Sequence, residues 1–245
     1  MKILIRKIFD SLGYDIRKKK READRISTKK AEDFPEWLRQ ADESGSDVND
    51  YICSKMGSPL PTLEKFVFPY LRQIKDPVFC EIGTGTGRWS RDIAGELRKH
   101  NEWKLYLIDH SPWIINFLVK YFEKESNIIP LLNDGKSLPV EEDLSIDMVF
   151  STGTFIEFNL QTIYSYCCEF KRLIKKNGYA IFNYFDIDTE VAFNHMKGQR
   201  ERSNSCFSYH SNAVINRIFN DAGFELILRQ VLGESSYVVY RKSDD

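Results

Sequence analysis

Residues 78–90 read Val78-Phe79-Cys80-Glu81-Ile82-Gly83-Thr84-Gly85-Thr86-Gly87-Arg88-Trp89-Ser90. A short apolar run of strand type ends in an acid and passes into three alternating glycines. Glycine there lets the chain turn tightly and lets a ligand approach the main chain. Trp89, Ile93 and Leu97 then recur at helical spacing. The stretch therefore reads as strand, glycine turn, helix.

Working outward, the same alternation continues. Leu105 to Asp109 is a second strand, and Ile114, Ile115, Leu118, Val119 and Phe122 mark a second helix. Asn127 to Leu132 and Ile146 to Phe150 are further strands. Ile163, Tyr166, Cys167, Phe170 and Ile174 define a long helix, which Lys176-Asn177-Gly178 should close with Gly178 as a left-handed cap. Tyr179 to Phe185 is the fifth strand. Such alternation implies a parallel sheet with helices on both faces, and ligands of such sheets sit at the carboxyl ends of the strands. A last helix (Val214, Ile215, Ile218, Phe219) leads into Phe224–Leu232, and Gly233-Glu234-Ser235 turns into Ser236–Arg241. So short a turn requires an antiparallel pair.

Upstream, Leu63, Phe66, Val67, Tyr70, Leu71 and Ile74 are helical in pattern, with Pro69 expected to divide the helix. Residues 22–60 are polar and read as irregular. Ile5, Ile8, Phe9 and Leu12 form a short amphipathic helix that Gly13 stops, and the basic run Arg17 to Arg21 follows. The expected division is residues 1–61 as an N-terminal extension and 62–245 as the main domain.

Composition narrows the function. The 245 residues hold 35 Lys+Arg against 36 Asp+Glu, a net of −1, and 42% are apolar. Residues 1–30 carry eleven basic and four acidic side chains, so the remaining body is acidic. That disfavours nucleic acid as a partner, because phosphate contacts need a basic face. The five cysteines form no C-x-x-C pair and read as reduced thiols of a cytosolic protein. The four histidines show no metal-ligand spacing, so no metal is expected. No apolar run approaches the ~20 residues that cross a bilayer.

The glycine turn alone could be no more than a tight turn. A P-loop needs Gly-Lys-Ser/Thr at its end, whereas Gly87 precedes Arg88 and Trp89. A dinucleotide fingerprint counted from Gly83 would place its third glycine at Arg88. Three acids follow three successive strands: Glu81, Asp109 and Asp134. They would repel a pyrophosphate and attract a cationic ligand that also carries hydroxyl and amino donors.

With these features, the chain resembles class I S-adenosylmethionine-dependent methyltransferases over roughly residues 62–242. The resemblance is carried by residues 78–90, 105–111 (LYLIDHS), 133–139 (NDGKSLP), 145–155 (SIDMVFSTGTF) and 173–184 (LIKKNGYAIFNY). It implies an α/β, Rossmann-like sheet of seven strands, mostly parallel, with an antiparallel C-terminal hairpin. It implies S-adenosylmethionine as cofactor, with Gly83, Thr84, Gly85 and Gly87 lining its methionine moiety. Glu81 would brace the loop, and Asp109 would accept from the ribose hydroxyls. His110 and Ser111 would edge the adenine, and Asp134 would accept from its amino group beside Asn133 and Gly135. Ser151 and Thr152 would face the methyl group and the acceptor.

No base is secure in the sequence. Glu157, His195 and His210 are the catalytic candidates, each with a structural alternative, and Asp186 and Asp188 are similar. The chain is also similar to methyltransferases of bacterial surface-polysaccharide synthesis, which act on sugars at the inner membrane face. This implies a carbohydrate or other small-molecule acceptor and O-methylation. A non-catalytic cofactor-binding protein on the same fold is the alternative. The arm of residues 1–21 reads either as a helix on an anionic membrane or as a helix covering the domain with a solvated charge run.

Overall fold

The computed structural model describes residues 36–200 and 206–244. The amphipathic helix and basic run expected in residues 1–21 lie outside them. The chain divides into two compact units, Met1–Tyr51 and Ile52–Asp245.

In the first unit, helix α1 spans 36–43 and helix α2 (Val48–Met56) begins. The expectation that residues 22–60 are irregular is corrected here. The charges that made the stretch look like loop support the helix instead. Arg39 pairs with Glu36 and with Glu43, three and four residues away on one face. Asp47 Oδ1 accepts from the main-chain N–H groups of Asn49 (2.9 Å) and Asp50 (3.2 Å), which starts α2.

The second unit continues with α3 (Leu60–Phe66) and α4 (Phe68–Leu71), which meet at Val67. Pro69 in the first turn of α4 divides the helical stretch as expected. The alternating segment follows: β1 (Val78–Ile82), α5 (Arg88–Leu97), β2 (Lys104–Asp109), α6 (Pro112–Tyr121), β3 (Ile128–Leu132) and β4 (Ile146–Ser151). A single 3₁₀ turn, Phe155–Glu157, precedes α7 (Leu160–Leu173) and β5 (Ile174–Asp186). Then come α8 (Glu190–Gly198), β6 (Tyr209–His210), α9 (Asn212–Asp221), β7 (Phe224–Leu232) and β8 (Ser235–Lys242). Side chains of Ser111, Asn159, Thr189 and Ser211 cap α6, α7, α8 and α9 by accepting from a main-chain N–H three residues on.

The strand order is β3-β2-β1-β4-β5-β8-β7, with β6 beside the end of β5. β1 to β5 are parallel, and β8 is antiparallel to both β5 and β7. The short strand β6 brings the sheet to eight strands instead of the expected seven; its pairing is two residues, Phe185 with Tyr209 and Asp186 with His210. The chain runs outward from β1 to β3 and returns to β1 with β4. This reversal is the switch point at which open α/β sheets bind ligands.

One sheet face packs under α7 and α9. Phe182 lies at the centre of that core, with ring centroids 4.6 Å from Phe155, 5.0 Å from Phe219 and 6.0 Å from Tyr240. The expected glycine cap of α7 is corrected. The helix ends at Leu173, and Asn177, not Gly178, takes the left-handed conformation (φ 62°). Gly178 answers a different constraint: a Cβ there would stand 2.7 Å from the Asp147 carbonyl oxygen and 2.6 Å from Ile174 Cγ2.

Candidate functional site

The switch point is built by the glycine loop between β1 and α5. Gly83, Gly85 and Gly87 all take positive φ, at 72°, 54° and 79°. Side chains are also excluded by space. A Cβ on Gly83 would lie 2.0 Å from Thr154 Oγ1, and one on Gly87 would lie 3.0 Å from the Phe122 ring. Gly83 N–H donates to the Ile108 carbonyl (2.8 Å), tying the loop to the end of β2. Between the glycines, Thr84 Oγ1 is buried and has no hydrogen-bond partner. A buried hydroxyl left unpaired costs about 1–3 kcal/mol, so a polar ligand group that reached it would be favoured.

Asp109 ends β2 and is only 9% exposed. Its Oδ1 accepts from Ser111 N–H at 2.9 Å and lies 3.6 Å from His110 Nδ1. Its Oδ2 accepts from Gly85 N–H at a long 3.5 Å. Burial raises its pKa, and these partners offset the rise in part. A carboxylate can accept about four hydrogen bonds, so this one is short of donors. Glu81 is deeper, 2% exposed, with Oε2 held by Ser90 Oγ at 2.6 Å. Burial pushes its pKa up to about 8, and the nearby Asp109 charge adds to the rise.

The third acid is placed differently. Asp134 is exposed, and its Oδ1 accepts from Ser137 N–H (2.7 Å), Lys136 N–H (2.9 Å) and Ser137 Oγ (3.0 Å). These bonds lower its pKa and use the carboxylate to form the turn containing Gly135. Asn133 Nδ2 bonds to the Ser137 carbonyl and to Tyr166 Oη. His110 is exposed, and the hydroxyl of Ser111 caps α6. Ser151 is buried, and its Oγ donates to the Ile82 carbonyl at 2.9 Å, so it joins β4 to β1.

The three base candidates separate. His210 is buried, with Nε2 2.8 Å from the Phe158 carbonyl oxygen, a position that suits holding β6 in place. Glu157 lies in the 3₁₀ turn, with its carbonyl accepting from Ser208 Oγ. His195, on α8, stacks on Phe185 with centroids 4.5 Å apart and lines an open recess. Asp186 is fully buried and paired with Arg229, and Asp188 Oδ2 accepts from Asn212 N–H. Among the described residues no group of three or more His, Cys, Asp or Glu could hold a metal. The five cysteines are free thiols.

Several side chains at this edge were not singled out in the sequence. Asn183 lies in the apolar run Ala180–Phe185, and that one polar residue among apolar neighbours was its only signal. Its Oδ1 accepts from Gly153 N–H (2.8 Å) and its Nδ2 donates to Ser235 Oγ (3.0 Å), which links the ends of β4, β5 and β8. Thr152, which was expected to face the methyl group and the acceptor, bonds to Tyr237 Oη at 2.8 Å, and the ring of Tyr237, which was not singled out, stacks on Phe66. Thr154 closes over Gly83. None of these contacts joins residues near in sequence.

Residues 79–178 match the family described as methyltransferase domain. No curated protein is similar enough in sequence to match. A SAM-dependent methyltransferase from Methanosarcina mazei is 12% identical, with a TM-score of 0.59, over 74% of this chain and 100% of that one. A SAM-dependent methyltransferase from Aquifex aeolicus is 20% identical, with a TM-score of 0.53, over 73% and 90%. The N-methyltransferase NodS from Bradyrhizobium japonicum is 14% identical, with a TM-score of 0.54, over 75% and 96%. At these identities the likeness is one of fold: the sheet is the Rossmann-like methyltransferase sheet. The first two of these neighbours are described as dependent on S-adenosylmethionine. The residues present fit that group: an unpaired hydroxyl on the glycine loop, a carboxylate short of donors, and a second buried carboxyl nearby.

Proposed function

We propose that this protein binds S-adenosylmethionine at the carboxyl edge of β1 and β2 and methylates a hydroxyl of a carbohydrate or other small acceptor. The observation that carries the cofactor half is Asp109, nine-tenths buried and held by one good and one long main-chain donor. A vicinal diol supplies the O–H donors it lacks. Thr84 and the glycine-loop main chain would receive the methionine end, and the Asp109 carboxylate would favour a cationic ligand.

Bound there, S-adenosylmethionine supplies a methyl group made electrophilic by its sulfonium. The protein's task is to align an acceptor and exclude water, which together contribute about 7–11 kcal/mol in well-oriented reactions. A hydroxyl acceptor also needs a proton acceptor within reach. The hydroxyl-type acceptor, and a place in surface-polysaccharide synthesis, are supported by the resemblance of residues 133–139 and 145–155 and by the basic arm.

The test is incubation with methyl-labelled S-adenosylmethionine and a panel of neutral saccharides. Label appearing as a sugar methyl ether is the expected result. Tight cofactor binding with no transfer to any saccharide or other small hydroxyl compound would favour the non-catalytic alternative.

A further inference from the structure

Arg88, the residue that departs from the P-loop and dinucleotide patterns, directly follows Gly87 and is the first residue of α5. It is half-buried. Its Nη1 donates to the Gly57 carbonyl oxygen at 2.9 Å, and its guanidinium lies over the Trp89 ring, 5.2 Å from the centroid. We infer that Arg88 receives the carboxylate of the cofactor's methionine moiety and makes the site selective for adenosyl ligands that carry that group. The inference rests on the cofactor reading above.

The free charge of this arginine points to an anion. Arg72, Arg98, Arg172 and Arg229 each pair with a carboxylate. Among the described residues no carboxylate pairs with Arg88. A guanidinium has five N–H donors, and the Gly57 carbonyl engages only Nη1. The others can form the planar fork that binds a carboxylate through two parallel hydrogen bonds.

The side chain is also held in place. The Trp89 ring packs 5.7 Å from that of Phe150, which stands beside Glu81 in the β1–β4 register. The surface on which the guanidinium rests is therefore fixed to the sheet, and the Gly57 carbonyl fixes one end of the fork. A group ordered in advance loses little further freedom when it binds. Its charge is felt at the carboxyl edge. Burial raises the pKa of Glu81, to about 8, and that of Tyr237, and the Arg88 guanidinium opposes both rises. Tyr237 Oη bonds in turn to Thr152, which follows β4.

The ligand's own charges give this cation its task. The methionine moiety carries an ammonium and a carboxylate on one carbon. Asp109 attracts the cationic groups and repels the carboxylate. Arg88 offsets that repulsion, together with the positive end of α5, whose first turn holds no acid.

The test is calorimetric titration of the full-length protein with S-adenosylhomocysteine and with its decarboxylated analogue. The analogue keeps the adenosine, the thioether and the ammonium and lacks only the carboxylate. The unsubstituted protein should bind S-adenosylhomocysteine at least about tenfold more tightly, as expected of one charged hydrogen bond. Arg88→Gln should weaken that binding about 10- to 100-fold. It should leave the analogue bound equally or better, because the analogue's ammonium loses a like-charged neighbour. Arg88→Lys, which keeps the charge without the fork, should retain part of the preference. Thermal melts establish that each variant is folded, and the preference of the unsubstituted protein is read without any variant. Equal affinity of the unsubstituted protein for the two ligands would overturn the assignment. So would a preference that Arg88→Gln leaves intact, or an equal loss of both ligands, which would make Arg88 only a strut for Gly57. In each of these cases the cofactor reading stands. Binding of neither ligand by the unsubstituted protein would instead overturn the cofactor reading and this inference with it.

Discussion

Asp109 and Glu81 meet the same low-dielectric edge of the sheet in different states. Asp109 keeps two main-chain donors and a thin opening to solvent. Asp109→Ala removes the acceptor proposed for the cofactor's diol. Hydrogen bonds to a charged group are worth about 1.5–3 kcal/mol each, so losing two predicts a fall in cofactor affinity of about 100-fold or more, measurable by calorimetry. Glu81 is the stability probe. Its folded pKa, about 8, lies above the ordinary glutamate value of 4.5. Its contribution to stability is therefore fully present below the ordinary value and is lost as pH rises through about 8. At ~1.4 kcal/mol per pKa unit the loss amounts to a few kcal/mol. Glu81→Gln should flatten the fall in melting temperature between pH 6 and 9 seen in the unsubstituted protein. Parallel pH profiles would show that Glu81 is ionised throughout.

At the scale of elements, the glycine loop is where sequence and structure agree most closely. β1 has the boundaries read from the apolar run, and α5 begins right after Gly87. Local pattern was enough there because strand, turn and helix are each encoded within a few residues. The cap of α7 was misread because Asn177 also tolerates the left-handed region, while Gly178 is required by a close approach that sequence does not display. α1 was missed because its paired charges resemble loop composition. In the site, Glu81, Asp109 and the glycines were legible as strand-end residues. Asn183 and Thr154 were not, because their roles come from contacts across strands distant in sequence. Gly83→Ala should lower the melting temperature and weaken the cofactor: left-handed backbone costs a non-glycine residue about 1–2 kcal/mol, and the added Cβ strikes Thr154. Adding Thr154→Gly should restore part of the stability, since it relieves the collision but not the backbone strain. No recovery in the double variant would place the whole cost in the backbone.

At the scale of the whole molecule, one sheet carries both the core and the site. Phe182, amid Phe155, Phe219 and Tyr240, anchors β5, whose next residue, Asn183, bonds to Ser235 of β8. Phe182→Ala should cost about 3–5 kcal/mol in a denaturant titration, as large-to-small changes in aromatic cores do. A loss below 1 kcal/mol would mean the core rearranges around the gap. No helix among the described residues is long and apolar enough to cross a membrane. The membrane reading of residues 1–21 predicts that deleting them releases the protein from anionic vesicles. Equal vesicle binding with and without the arm would contradict it. The central claim, that the carboxyl edge of β1 and β2 holds S-adenosylmethionine, is tested most directly by calorimetric titration of the folded protein with S-adenosylmethionine, S-adenosylhomocysteine and NADH. The account predicts saturable one-site binding of both adenosyl compounds and none of NADH. Binding of NADH, or of neither adenosyl compound, would contradict it.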